Sequence, residues 1–281
     1  MKIEIKASPK EVKDGHFDYS NTKSEYGCNT LYFTKNGKPY SIIAGEMHFA
    51  RLPKERWKET LLKMRECGVN TVSSYVFWNY HEEIKGQFDF SGNKDIAGFL
   101  RLCKEIDMPC ILRIGPWCHA EVVYGDFPKR INKMRKKRTD APEYLAEVKE
   151  YWQGLYKEVA PYLDGKTVIG IQIDNEYTGP IQQLLTLRKS AEEIGYKAPF
   201  FTMTAWPLSK PDNRLLPLAG GYPDGPWNGG KKNSSQTIAL PSLRQERRTK
   251  SAEIYSKAKK QKAVCSTTFL TALVKQDRAI R

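Results

Sequence analysis

The sequence predicts an α/β chain of the (β/α)8 TIM-barrel class, incomplete, with about six of the eight strands recognisable. Two observations carry this. Short apolar runs alternate with longer amphipathic ones from Ser41 onward, the pattern of parallel strands buried on both faces by intervening helices. Polar and aromatic clusters follow the ends of the apolar runs, where a barrel keeps its chemistry, and no glycine-rich phosphate turn follows an early strand as a doubly wound nucleotide binder would require.

The elements follow in order. Ser41–Gly45 is the first strand, a short apolar run. Arg56–Cys67 is a helix after Pro53, with Trp57, Leu61 and Met64 at i, i+4 and i+7 and Gly68 as its stop. Thr71–Phe77 is a strand by its β-branched and aromatic content. A helix near Ile96–Ile106 leads to the strand Cys110–Ile114, and a longer helix over Ala141–Leu163 leads to Val168–Ile173, the most apolar strand. Helix Ile181–Ile194, strand Phe200–Thr204 and a sixth strand at Leu216–Ala219 complete the pattern. The run Lys129–Arg138, seven basic residues in ten, is expected to be a solvated loop.

Charge divides the chain. The net charge of +14 belongs mostly to residues 231–281, with 13 Lys/Arg against 3 Asp/Glu, whereas residues 1–230 hold 33 against 29. All 20 glycines and all six tryptophans precede residue 231. The domain expectation is therefore a partial catalytic barrel over 1–230 and a basic tail of doubtful native structure over 231–281. The basic excess brings no recognition motif, so no nucleic-acid partner is expected. No apolar run reaches the roughly 18 residues of a membrane span, the N-terminus shows no signal sequence, and the six cysteines form no CxxC pair. The chain is thus expected to be cytoplasmic, with free thiols and no membrane partner.

The clusters at the strand ends are Glu46-Met47-His48, Trp78-Asn79-Tyr80-His81-Glu82, Trp117-Cys118-His119-Ala120-Glu121 and Asp174-Asn175-Glu176-Tyr177. Carboxylates beside aromatic rings suit sugars: rings stack on a pyranose face and carboxylates accept hydroxyl protons. Glycosidic cleavage needs an acid for the leaving oxygen and a second carboxylate as nucleophile or base. Glu176, at the end of the most apolar strand, fits the acid. Glu46, Glu82 and Glu121 have strand-end ion pairing as their alternative reading, His48 and His81 read as hydrogen-bonded walls or substrate contacts, and Trp78 and Trp117 as core or sugar platforms. No histidine pair has the i, i+4 spacing of a helical zinc site, so neither metal nor cofactor is expected.

At these residues the sequence resembles glycoside hydrolase family 35, the β-galactosidase family. The resemblance runs in order through Gly45-Glu46-Met47-His48-Phe49, Tyr75 to Glu82, Arg113-Ile114-Gly115-Pro116-Trp117 with Ala120-Glu121, and Ile171 to Tyr177. It covers about Tyr32 to Trp227. It implies a retaining two-carboxylate hydrolase that removes terminal β-D-galactose from β-galactosides, with Glu176 as acid/base and Asn175 holding the sugar 2-hydroxyl. Tyr75, Ala120 and Glu121 would lie against the galactose ring. Asp174 departs from a common Glu, Thr178 from a common Gly, and His119 from a common Cys.

The resemblance implies a nucleophilic Glu on a seventh strand, and no carboxylate after Gly230 follows an apolar strand run. The expectation is a chain truncated relative to the family pattern and frame-shifted near Lys231-Lys232, lacking the nucleophile. The alternatives are a natural basic extension and a non-catalytic sugar-binding remnant of the same family.

Overall fold

The computed structural model describes residues 24–28, 33–204 and 216–219; the basic tail lies outside them. A six-stranded parallel sheet runs in sequence order, with helices between its first five strands. A small antiparallel sheet precedes it: β1 (Tyr26–Cys28), β2 (Phe33–Lys35) and β3 (Lys38–Tyr40). The sequence pattern from Ser41 onward does not include it. Its β2–β3 turn is Asn36-Gly37, both residues left-handed at φ 51° and 73°, the geometry that a two-residue hairpin demands.

The parallel strands are β4 (Ala44–Glu46), β5 (Thr71–Tyr75), β6 (Cys110–Arg113), β7 (Val168–Asn175), β8 (Phe200–Thr204) and β9 (Leu216–Ala219). The first begins later than the apolar run suggests. Ile43 is 41% exposed and its N–H bonds the Asn70 side chain, so pairing with β5 starts only at Ala44. All eight residues of β7 are buried. Among the described residues β4 and β9 stand at the two edges of the sheet, which is therefore an open arc of the barrel.

Helices α1 (Trp57–Glu66), α3 (Ile96–Glu105), α5 (Pro142–Val159) and α6 (Ile181–Ile194) cover the outer face, with two single-turn helices, α2 (Trp78–His81) and α4 (Lys129–Asn132), among the loops. In α1 the buried residues are Trp57, Leu61 and Met64, the stripe read from the sequence, and Gly68 follows at φ 89°. Asp95 caps α3 by accepting from the Gly98 N–H at 2.6 Å. Side chains of the parallel strands divide between the two faces, with a register shift between β6 and β7 after Val168 that puts Ile169 and Ile171 on opposite sides. Cys110, Leu112, Ile171 and Ile173 join the large outer core with the helices, while Ala44, Ile111, Ile169 and Phe201 meet on the inner face with Tyr26 of β1 packed against them. No helix among the described residues is long and apolar enough to cross a membrane.

The basic run is not a solvated loop throughout. Lys129–Asn132 is helical, and two of its arginines reach inward because buried carboxylates wait there. Arg130 binds Glu82 at 2.7 Å and Glu147 at 3.1 Å, and Arg138 binds Asp174.

Candidate active site

The site lies at the C-terminal ends of β4 to β7. Arg113, the last residue of β6 and only 8% exposed, is its hub. Its guanidinium pairs with Glu46 of β4 at 2.8 Å, donates to the Tyr75 hydroxyl at the end of β5, and donates to Asn175 Oδ1 of β7 at 3.1 Å. A buried guanidinium survives only with such partners, and here one side chain ties four strands together.

Glu46 is the second anchor. His48 Nε2 lies 2.8 Å from its other oxygen, while His48 Nδ1 accepts the Tyr75 N–H at 3.3 Å, so Nε2 carries the proton. Burial pushes the Glu46 pKa up, but the His48 hydrogen bond and the Arg113 charge outweigh it and hold the carboxyl below its ordinary value. Burial drives the Tyr75 phenol well above its ordinary pKa, so the hydroxyl keeps its proton.

Strict alternation along β7 would aim Gln172 and Asn175 at opposite faces. Instead their side chains touch, Gln172 Nε2 donating to Asn175 Oδ1 at 3.0 Å. A bulge between them explains it: the β7–β8 register shifts there, and Asp174 takes a left-handed backbone at φ 55°. With Oδ1 accepting from Arg113 and Gln172, the Asn175 amide is fixed in orientation. Its Nδ2 is thereby turned to donate to His119 Nδ1 at 3.1 Å.

Glu176 follows at φ 49°, its side chain 42% exposed and 3.6 Å from His119 Nδ1. With the exposed Glu121 it is a strand-end carboxylate left open to a ligand, whereas Glu46 is held by Arg113 and His48, and Glu82 is 1% exposed between Arg130, Trp78 and the Gly86 N–H. Beneath it Asp174 is buried and bonded to Arg138 at 2.5 Å. Burial raises the Asp174 pKa against the opposing pull of Arg138 and of the Asn175 N–H.

The structure thus joins Tyr75 and Asn175 through Arg113, and Glu176 follows Asn175 directly, its carboxylate 3.6 Å from the His119 nitrogen that accepts the Asn175 amide. Ala120 packs near Tyr75, Phe77 and Cys118, and its carbonyl accepts from Arg51. Glu121 is exposed on the same loop, outside the Arg113 network. His119, Ala120 and Glu121 are all left-handed, at φ 59°, 44° and 50°. His81 and Trp78 resolve as core: His81 is buried with Nδ1 on the Phe77 carbonyl at 2.6 Å, and Trp78 stacks on Tyr151 at 4.7 Å. Trp117 packs on Phe127 and His119. No group of three His, Cys, Asp or Glu side chains suited to a metal occurs among the described residues.

Sequence reasoning did not single out Arg113 or Gln172 as site residues. A signal was there, a charged and an amide side chain inside the otherwise apolar runs Cys110–Ile114 and Val168–Ile173. Arg138 carried none, being one cation among seven.

Comparison with known proteins places this geometry. The model of "Glycosyl hydrolases family 35" matches residues 32–271, past the Trp227 at which the motif resemblance ends. The chain is 40% identical over 157 residues to a beta-galactosidase of Xanthomonas manihotis, covering 54% of this chain and 26% of that one. It is 37% identical over 174 residues to beta-galactosidase-1-like protein 3 of Mus musculus, covering 60% and 26%. It therefore spans about a quarter of the length of these curated relatives. An exo-beta-1,4-mannosidase from Opitutaceae bacterium strain TAV5 superposes with a TM-score of 0.55 at 15% identity, over 66% of this chain and 39% of that one, a likeness of fold. With the family model matched over residues 32–271, the chain belongs to glycosyl hydrolases family 35.

Proposed function

We propose that this chain carries the acid/base side of a retaining glycosidase that removes terminal β-D-galactose from β-galactosides. The observation that carries the reading is the segment Asn175-Glu176 at the end of the fully buried β7: an oriented amide followed by an accessible carboxyl group. The β-galactosidase names of the relatives support the substrate class.

In this reading the Glu176 carboxylic acid protonates the leaving oxygen as the glycosidic bond breaks, and its carboxylate later takes a proton from the incoming water. Asn175 meets the sugar 2-hydroxyl, with Tyr75, Ala120 and Glu121 along the ring. The carboxylate that attacks the anomeric carbon must stand about 5–5.5 Å from Glu176. Glu46 and Glu82 are committed to arginines, and Glu121 is assigned in this reading to the sugar ring, which favours a nucleophile outside β4–β7.

The test has two arms. The 281 residues, expressed unchanged, are expected to leave an aryl β-galactoside intact, and robust turnover by a soluble monomer would require the nucleophile to be sought among Glu46, Glu82, Glu121, Glu246 and Glu253. The gene is sequenced beyond the Gly230 codon, and the product with any shifted frame restored is expected to hydrolyse the same substrate. A restored product that binds galactose without cleaving galactosides would favour the non-catalytic remnant.

A further inference from the structure

We infer that Arg138 is a positioning residue for Glu176, clamping the β7 bulge that aims the acid/base; the inference rests on the role just proposed for Glu176. The bulge needs a clamp. Asp174 and Glu176 both hold left-handed backbone, at φ 55° and 49°, which side chains with a Cβ disfavour. Relaxation of Asp174 to extended geometry would restore plain alternation and turn Asn175 away from Arg113 and Gln172, carrying Glu176 with it.

One nitrogen of Arg138 holds both sides of that turn. Its Nη2 donates to Asp174 Oδ1 at 2.5 Å and to the Asn175 carbonyl at 2.9 Å. Asp174 Oδ1 in turn accepts the Asn175 N–H at 2.6 Å, so the bulge is closed by a ring of hydrogen bonds. The guanidinium is flanked by the Trp117 ring at 4.9 Å and the Tyr177 ring at 5.3 Å, which hold it in place. The Tyr177 hydroxyl donates to the Arg138 carbonyl at 3.3 Å, fixing the loop to the residue after the acid. Its bonds to β7 go to Asp174 and the Asn175 carbonyl, so in this inference it acts on Glu176 through them.

The competing account is that Arg138 only neutralises a buried Asp174. Hydrogen–deuterium exchange on the 281-residue chain separates the two, using Arg138→Met, Arg138→Lys and the double variant Arg138→Met/Asp174→Asn. The clamp predicts exchange at residues 174–177 faster by about 10- to 100-fold in Arg138→Met, the worth of a hydrogen bond to a charged group, with β5 and β6 unchanged. Lysine can reach both acceptors and should restore most of the protection. The double variant removes the buried charge, so it should regain thermal stability while 174–177 stay fast.

Unchanged exchange in Arg138→Met, equal acceleration throughout β5 and β6, or slow exchange at 174–177 in the double variant would each overturn the clamp. Should Arg138→Met fail to fold, the double variant decides by the same comparison. Calorimetric titration of the unaltered chain with D-galactose runs in parallel. A chain that binds no galactose, yet loosens at 174–177 in Arg138→Met, supports the clamp and counts against the proposed function alone.

Discussion

Replacing Arg113 by Met keeps much of the side-chain volume and removes the charge that links β4, β5, β6 and β7. Truncating one partner of a buried ion pair costs about 3–5 kcal/mol, because the other charge is left without compensation. Glu46 retains His48 and its side chain is 27% exposed, so part of that cost is recovered by water and imidazole. We therefore expect a loss of about 2–3 kcal/mol, equivalent to a fall of roughly 5–10 °C in Tm for a domain of this size. The pH dependence identifies the source. Arg113 helps hold the folded Glu46 pKa below its unfolded value, so that stabilisation is present above the ordinary Glu value of about 4.3 and is lost as the pH falls through the folded value. Urea unfolding of both proteins at pH 7 and pH 3 measures it. The gap between wild type and Arg113→Met should be full at pH 7 and narrow at pH 3. An equal gap at both pH values would show that the loss is one of packing, and a gap under about 0.5 kcal/mol at pH 7 would remove Arg113 as the hub.

Three further outcomes are expected. In a product with its frame restored, Glu176→Gln should slow hydrolysis of galactosides with poor leaving groups by about 10²–10⁴-fold and barely affect activated aryl galactosides, which need little protonation; equal losses in steady-state kinetics would mean that Glu176 is not the acid. Asp126 is buried, and burial raises its pKa well above the ordinary value despite the opposing N–H groups of Trp78 and Asn79. The native state thus holds a proton that the unfolded chain releases. Its favourable contribution is complete below about pH 3.9 and declines as the pH rises, so Asp126→Asn should flatten this decline in urea titrations between pH 4 and pH 7; parallel curves would refute the assignment. Gly125→Ala should destabilise by about 2–4 kcal/mol in thermal unfolding, since the position is left-handed at φ 58° and an added Cβ would stand 2.4 Å from the Trp117 ring; a neutral result would show that this loop yields freely.

Helices α1, α3, α5 and α6 are legible because burial on one face writes a periodicity into the sequence, as Trp57, Leu61 and Met64 do for α1, and strands β5 to β9 because they read as short apolar runs between those helices. The β1–β3 sheet is hard to read from sequence although Asn36-Gly37 is a strong hairpin signal, since its three-residue strands carry almost no alternation of their own. Ile42 and Ile43 fall in the apolar run but outside β4, because such a run says what is buried, not what is hydrogen-bonded. Ile42 is indeed buried, below the strand proper.

The candidate site divides along the same line. Glu176, Asn175 and Tyr75 were nameable because their types and places at strand ends state a chemistry. What orients them was not, because it depends on phase. Nothing in Val168-Ile169-Gly170-Ile171-Gln172-Ile173-Asp174-Asn175 says that the strand slips by one residue at Asp174, and without that slip Asn175 would face away from Arg113. In the clamp inferred above, the slip is held by Arg138, 36 residues earlier, which meets Asp174 across the fold. A local sequence can declare which side chain does the chemistry, but the contact that turns it toward the substrate is set by a distant residue. Here that residue lies in a basic run whose composition suggests only solvent.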